Sequence, residues 1–188
     1  HLGIPGRHNV MNALAAATVA MRYGMAPETG ARILASQHTI SPHRMALSTV
    51  NREGTSFTLI DDSFNANPDS MKAGLNGLKA WNSNDGKEPF RVALLGAMLE
   101  LGADETALHT SIGTYADELG IDAIIAVGSA QDQHLDALAQ ALADGARQSQ
   151  SASVDCVHDI DAAEQLVIDL ARNHPDAVVL LKGSHASG

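Results

Sequence analysis

Three short stretches of the 188-residue chain hold the residues best suited to chemistry. Lys182-Gly183-Ser184 offers a cation, backbone N–H groups and a hydroxyl in succession, a set that suits a carboxylate or a phosphate. An ordinary solvated turn has the same composition. Asp61-Asp62-Ser63-Phe64-Asn65-Ala66-Asn67-Pro68-Asp69-Ser70 gathers acids and amides. Helix capping accounts for Asn67, Pro68 and Asp69. It does not account for Asp61, Asp62 and Asn65, and an acid at a strand end is well placed to accept hydrogen bonds from ribose hydroxyls. In the third stretch, Gly6 to Ala16, His8, Asn9 and Asn12 lie on or just before a first helical turn. Asn9 and Asn12 are three apart and share a face, where two amides can read the edge of a planar base by donating and accepting. A capped helix start is the bland explanation of the same residues.

Other chemistries lack their motifs. Gly-x-x-x-x-Gly-Lys-Ser/Thr and Gly-x-Gly-x-x-Gly are absent, as are His-Glu-x-x-His and Gly-x-Ser-x-Gly. The nine histidines show no ligand spacing with the single cysteine, so no metal site is expected from them.

The elements that must position these stretches follow from periodicity. Apolar and small residues recur at helical spacing from Asn9 to Tyr23, with Gly24 as terminator, and a second helix is predicted from Pro27 to Ser36. Gln37 to Pro42 reads as a linker and a natural hinge. Met45 to Val50 and Phe57 to Ile60 are strand-like, joined by the turn-forming Asn51-Arg52-Glu53-Gly54. Four continuous apolar runs follow at Val92–Leu95, Ala123–Val127, Val154–Val157 and Val178–Leu181, each separated by enough chain for a crossover helix. That pattern predicts an α/β fold: a Rossmann-like, doubly wound, mostly parallel sheet covered on both faces. Ligands of such sheets sit beyond the carboxyl ends of the strands, which directs attention to the loops after Ile60, Leu95, Val127 and Leu181.

Bulk properties narrow the field. With 45% hydrophobic residues the chain can bury one good core and a small attached piece. A net charge of -10 and no basic patch argue against nucleic acid as a partner. One cysteine, Cys156, fits a reducing compartment and reads as a buried structural thiol. No apolar run reaches the ~20 residues of a membrane span, and no signal segment opens the chain, so a cytoplasmic location is expected.

Taken in chain order, the three stretches resemble the Mur ligase family. Gly6 to Ala16 is similar to its Gly-x-His-Asn-x-x-Asn-x-x-Ala-Ala segment, and Arg44 to the family arginine at the entrance of the carboxyl-terminal domain. The 61–70 loop, Leu95 to Gly102 and Lys182-Gly183-Ser184 resemble the branch that adds D-alanyl-D-alanine to a UDP-N-acetylmuramoyl-tripeptide. Two positions depart: Ala97 stands where that branch commonly has aspartate, and His185 where it has arginine. The resemblance implies residues 1–41 as the helical end of an ATP-binding domain and 42–188 as the carboxyl-terminal domain. It implies ATP and Mg2+ in the full-length enzyme, with the P-loop, Mg2+ and uridine-nucleotide sites upstream of His1, and an inactive piece on its own. Carried over residue by residue, it implies that Asn9 and Asn12 face adenine, His8 supports that helix start, Asp62 holds the ribose and Arg44 acts catalytically on the phosphates. Asn65, Asn67, Lys182, Ser184 and His185 are candidates for the dipeptide or the reacting carboxylate. Competing readings are a folylpolyglutamate synthase or cyanophycin-type ligase, against which the Asn-Ala-Asn-Pro loop argues, and a stand-alone nucleotide- or peptide-binding module.

Overall fold

A computed structural model describes residues 2, 7–36, 43–82, 88–149 and 152–184. The chain divides into two compact units, His1–Met45 and Ala46–Gly188. Compactness thus puts the break after Met45, a few residues beyond the boundary expected from the resemblance.

The first unit holds helix α1 (Arg7–Arg22) and helix α2 (Pro27–Ser36). Gly24 ends α1 in the left-handed region, φ 91°, where its N–H reaches the carbonyl of Met21 and that of Met25 the carbonyl of Ala20. A residue without a Cβ adopts this cap at no steric cost. Much of the apolar surface of α1 is open, with Met11 68%, Leu14 57% and Val19 58% exposed, and α2 has no buried residue. The expected Gln37–Pro42 linker lies outside the described residues.

The second unit is built on strands β1 (Ala46–Arg52), β2 (Thr55–Asp61), β3 (Arg91–Leu95), β4 (Ala123–Val127), β5 (Ser153–Val157) and β6 (Val178–Lys182). Helices α3 (Pro68–Lys79), α4 (Glu105–Glu118), α5 (Gln133–Ala146) and α6 (Ile160–Asn173) connect them. The strands form one sheet in the order β1-β2-β6-β3-β4-β5. Among the described residues only the β1–β2 pair is antiparallel. The hairpin strands run further than the sequence reading expected, leaving a turn of Glu53 and Gly54 with φ 46° and 78°. Two left-handed residues match the twist of the flanking strands, and Gly at the second position lowers the cost.

Alternation along the buried strands divides the core. Phe57, Val92, Leu94, Ala123, Ile125 and Val179 pack with Ala163, Val167 and Ala171 of α6. Helices α3, α4 and α5 cover the other face, where Leu180 and Lys182 of β6 meet α3 at Gly74. Helices α4 and α5 cross at two glycines: a Cβ on Gly113 would fall on the carbonyl oxygen of Leu142, and one on Gly145 on that of Thr110. The doubly wound architecture expected from the periodicity is therefore present, with β6, the latest strand in the chain, seated between β2 and β3.

Candidate functional site

Parallel register brings the carboxyl ends of β2, β6 and β3 side by side, and backbone hydrogen bonds carry the alignment into their loops. Asp62 N–H donates to the carbonyl of Leu181 at 2.8 Å, Gly96 N–H to Lys182 at 2.8 Å, and Ser184 N–H to Ala97 at 3.0 Å. Gly183 eases this approach, since a Cβ there would stand 3.1 Å from the Cα of Gly96. Three of the four loops singled out from the sequence thus converge. The fourth does not join them: Gly128 N–H donates to Val157 and Ala130 N–H to His158, which ties that loop to the end of β5.

Lys182 is the centre of the cluster and is 1% exposed. Its ammonium donates to Asp62 Oδ2 at 2.6 Å and to the Asn65 carbonyl at 3.1 Å, with the Asp62 carbonyl at 3.5 Å. A buried ammonium demands such partners, because stripping its water without compensation is costly. The side chain of Asp62 is 17% exposed, so its carboxylate spans the boundary between the lysine and solvent. A lysine after an apolar strand reads in sequence as a reaching cation; here it holds the 61–67 loop from beneath.

The rest of that loop is shaped by local bonds. Asp61 Oδ1 accepts from the backbone N–H and the hydroxyl of Ser63. Asn65, exposed, accepts the N–H of Ala66 on its Oδ1. Asn67 forms a capping box with Ser70: Asn67 Oδ1 accepts Ser70 N–H at 2.8 Å while Ser70 Oγ accepts Asn67 N–H at 3.0 Å. The Asn67 carbonyl oxygen therefore serves α3, and the exposed Phe64 stands at the loop's outer side. Ser184 is half-buried, and His185 lies outside the described residues.

The β3 loop is anchored from α4 by a residue that sequence reasoning missed. His109 is fully buried; Met98 N–H donates to its Nε2 at 2.9 Å, and its Nδ1 stands 2.7 Å from the Glu105 carbonyl. Burial lowers its pKa below the ordinary histidine value, opposed by the Glu105 carbonyl and carboxylate. The available signal was a histidine on the helix face that also buries Ile112, Gly113, Ala116 and Asp117. Ala97 is buried and serves the cluster through its carbonyl.

The remaining sequence candidates lie in the first unit. Asn9 is buried and Asn12 exposed on α1, and the side chain of His8 is outside the described residues. Arg44 is exposed, between two left-handed non-glycine residues, His43 at φ 59° and Met45 at φ 50°. Such backbone is costly for residues with a Cβ. A groove of about 260 Å³ lined by Thr49, Thr58, Trp81 and Asp176 lies at the opposite ends of β2 and β6.

A Rossmann-like sheet whose 61–70, 95–102 and 182–184 segments meet at its carboxyl edge is the arrangement the Mur-type resemblance implies. Residues 43–185 match the Mur ligase, glutamate ligase domain, and the chain belongs to the Mur ligase family. It is 38% identical over its whole length to the UDP-N-acetylmuramoyl-tripeptide–D-alanyl-D-alanine ligase of Mycobacterium tuberculosis (strain CDC 1551 / Oshkosh), covering 37% of that protein. The ligase of the same name from Escherichia coli (strain K12) is 35% identical over 127 residues, 68% of this chain and 26% of the relative. Among solved structures, a MurF crystal structure from Acinetobacter baumannii superposes with a TM-score of 0.75 at 28% identity, over 97% of this chain and 36% of that one. The chain therefore spans little more than a third of the length of such relatives.

Proposed function

We propose that this chain is the carboxyl-terminal part of a cytoplasmic ATP-dependent ligase that adds D-alanyl-D-alanine to a UDP-N-acetylmuramoyl-tripeptide in cell-wall precursor synthesis. The observation that carries the reading is the convergence of the Asp62, Gly96 and Lys182 loops in a chain 38% identical throughout to ligases of that name. In the parent enzyme ATP phosphorylates the tripeptide carboxylate. The dipeptide amine then attacks the acyl phosphate, and phosphate leaves from a tetrahedral intermediate. Negative charge gathers on the transferring phosphoryl group and on that intermediate, so oriented cations and N–H groups supply most of the assistance.

Within this scheme Asp62 accepts from the ribose, Arg44 reaches the phosphates, Asn9 and Asn12 face adenine, and His8 supports that helix start. Asn65, Ser184 and His185 attend the dipeptide or the reacting carboxylate. Lys182, whose ammonium is held by Asp62 and Asn65, and Asn67, whose side-chain oxygen caps α3, support that surface. Among the described residues no group of three or more His, Cys, Asp or Glu is placed to hold a metal ion. No helix among the described residues is long and apolar enough to cross a membrane.

The test uses the parent-length protein. ADP release that requires both UDP-N-acetylmuramoyl-tripeptide and D-alanyl-D-alanine is expected, and no such release from this chain alone. ADP release that follows a single amino acid or glutamate in place of the dipeptide would overturn the assignment.

A further inference from the structure

The partners of His109 dictate its chemical state. A carbonyl oxygen can only accept, so the nitrogen 2.7 Å from the Glu105 carbonyl, Nδ1, carries the hydrogen. A backbone N–H can only donate, so Nε2, 2.9 Å from Met98 N, presents a lone pair. The ring is therefore a neutral Nδ1–H tautomer, fixed at both ends. It lies on α4, while Met98 belongs to the loop that accepts Ser184 N–H at Ala97 and donates to Lys182 at Gly96. One imidazole thus holds the strand of backbone against which the Lys182–Ser184 turn is laid.

We propose that His109 is a positioning residue of the ligase site, an uncharged imidazole that fixes the 96–98 backbone and, through it, the 182–184 turn. The proposal rests on the ligase reading. His109 touches no reacting group. The side chains of Ala97 and Met98 are buried, while Glu100 further along the loop occupies a left-handed conformation at φ 62°; the Met98 N–H, which the core side chains cannot satisfy, is taken up by His109. Protonation of Nε2 would set an N–H against the Met98 N–H, two donors with no acceptor between them, and release the loop. The charged groups acting on the ring are Glu105 on its own helix and His134 on α5, which itself pairs with Glu105 at 3.0 Å.

Because burial lowers the folded pKa, the unfolded chain takes up the proton first. Stability from His109 is complete above the unfolded value near 6.5 and declines as pH falls from there toward the folded value. Acid should loosen Met98 and Ser184 before the strands.

Two variants and two readouts test this. In this chain, long-range 1H–15N spectra should show His109 Nε2 as the unprotonated nitrogen; the opposite tautomer overturns the proposal. His109→Gln keeps an acceptor for Met98 N–H but cannot gain a proton. His109→Leu keeps bulk and loses both bonds. Amide exchange at Met98 and Ser184 should rise at least tenfold in the leucine variant, with Ile124 and Ile125 unchanged, and should rise little in the glutamine variant. Unchanged exchange at Met98 in the leucine variant overturns the proposal whether or not the parent protein ligates. In the parent enzyme, wild type should show an acidic limb in its pH profile, and His109→Gln should keep kcat within about threefold at neutral pH and lose that limb. An identical acidic limb in both overturns it. A parent that turns over no dipeptide defeats the ligase reading instead, and amide exchange then decides the positioning role by itself.

Discussion

A Cβ added to Gly74 would lie 2.9 Å from Cδ of Lys182, so the glycine on α3 and the lysine ending β6 define one another's space. The lysine stem is buried and its head is held by Asp62 and Asn65, so it has little room to yield. Gly74→Ala should gain ~1 kcal/mol of helix propensity and lose about 1–3 kcal/mol to overpacking. A net loss in urea unfolding is expected, with reduced protection of Asp62 N–H. A net gain would mean that Lys182 is not confined.

The Lys182–Asp62 pair should be coupled in a double-mutant cycle. Asp62→Ala leaves a buried ammonium without its carboxylate, which costs roughly 3–5 kcal/mol for fully buried pairs. The low end is expected, because Asp62 is 17% exposed. Lys182→Met in that background should recover part of the loss. Additive effects would show that the two residues contribute independently.

At the α4–α5 crossing, backbone rather than side chain opposes any added Cβ. Gly113→Ala and Gly145→Ala should each cost at least the ~1–3 kcal/mol usual for overpacking, although both glycines are helical and alanine propensity favours the change. Thermal unfolding of the two variants checks this; unchanged midpoints would contradict so close a crossing.

Cys156 is only partly buried, where the sequence reading expected a buried thiol, yet its pKa is raised by desolvation and by the nearby Asp136, against a lowering by Arg147. The thiolate is the reactive form. Alkylation of the folded chain by iodoacetamide at pH 8 should run several-fold slower than that of glutathione. A faster reaction would show that the thiolate is stabilised instead.

Amides of α1 and α2 should exchange faster than those of β3 and β4. The helices bury little, while Val92, Ala93, Ile124 and Ile125 are fully enclosed. Equal protection would show that the helices draw stability from contacts beyond their own pair.

The sheet was legible because strands buried on both faces must be continuously apolar, and Val92–Leu95 and Ala123–Ala126 carry nothing else. The loops were legible in position for the same reason: once the strands are parallel, their carboxyl ends define an edge. The division of labour within the cluster was not. Whether Lys182 reaches outward or inward depends on Gly74, more than one hundred positions earlier, and a pairing across that separation leaves no local period. His109 escaped because its partners are backbone groups, which carry no residue-type signature. The hairpin turn was placed two residues too wide, since Asn51 and Arg52 suit turns by type but pair with Ser56 and Thr55.

The position of β6 bears on how the domain is made. During synthesis β2 and β3 emerge long before the strand that must separate them, so neither can complete its pairing until Val178–Lys182 arrives. Until then the nascent chain holds a hairpin and a β3–β4–β5 group, each with one open apolar edge facing the vacancy. Non-local parallel pairing of this kind closes slowly and exposes strand edges to other chains. The last insertion joins the halves, buries Lys182 beside Asp62 and brings the three loops together in one event. The three-loop cluster of Asp62, Gly96 and Lys182 therefore forms only once β6 has entered the sheet.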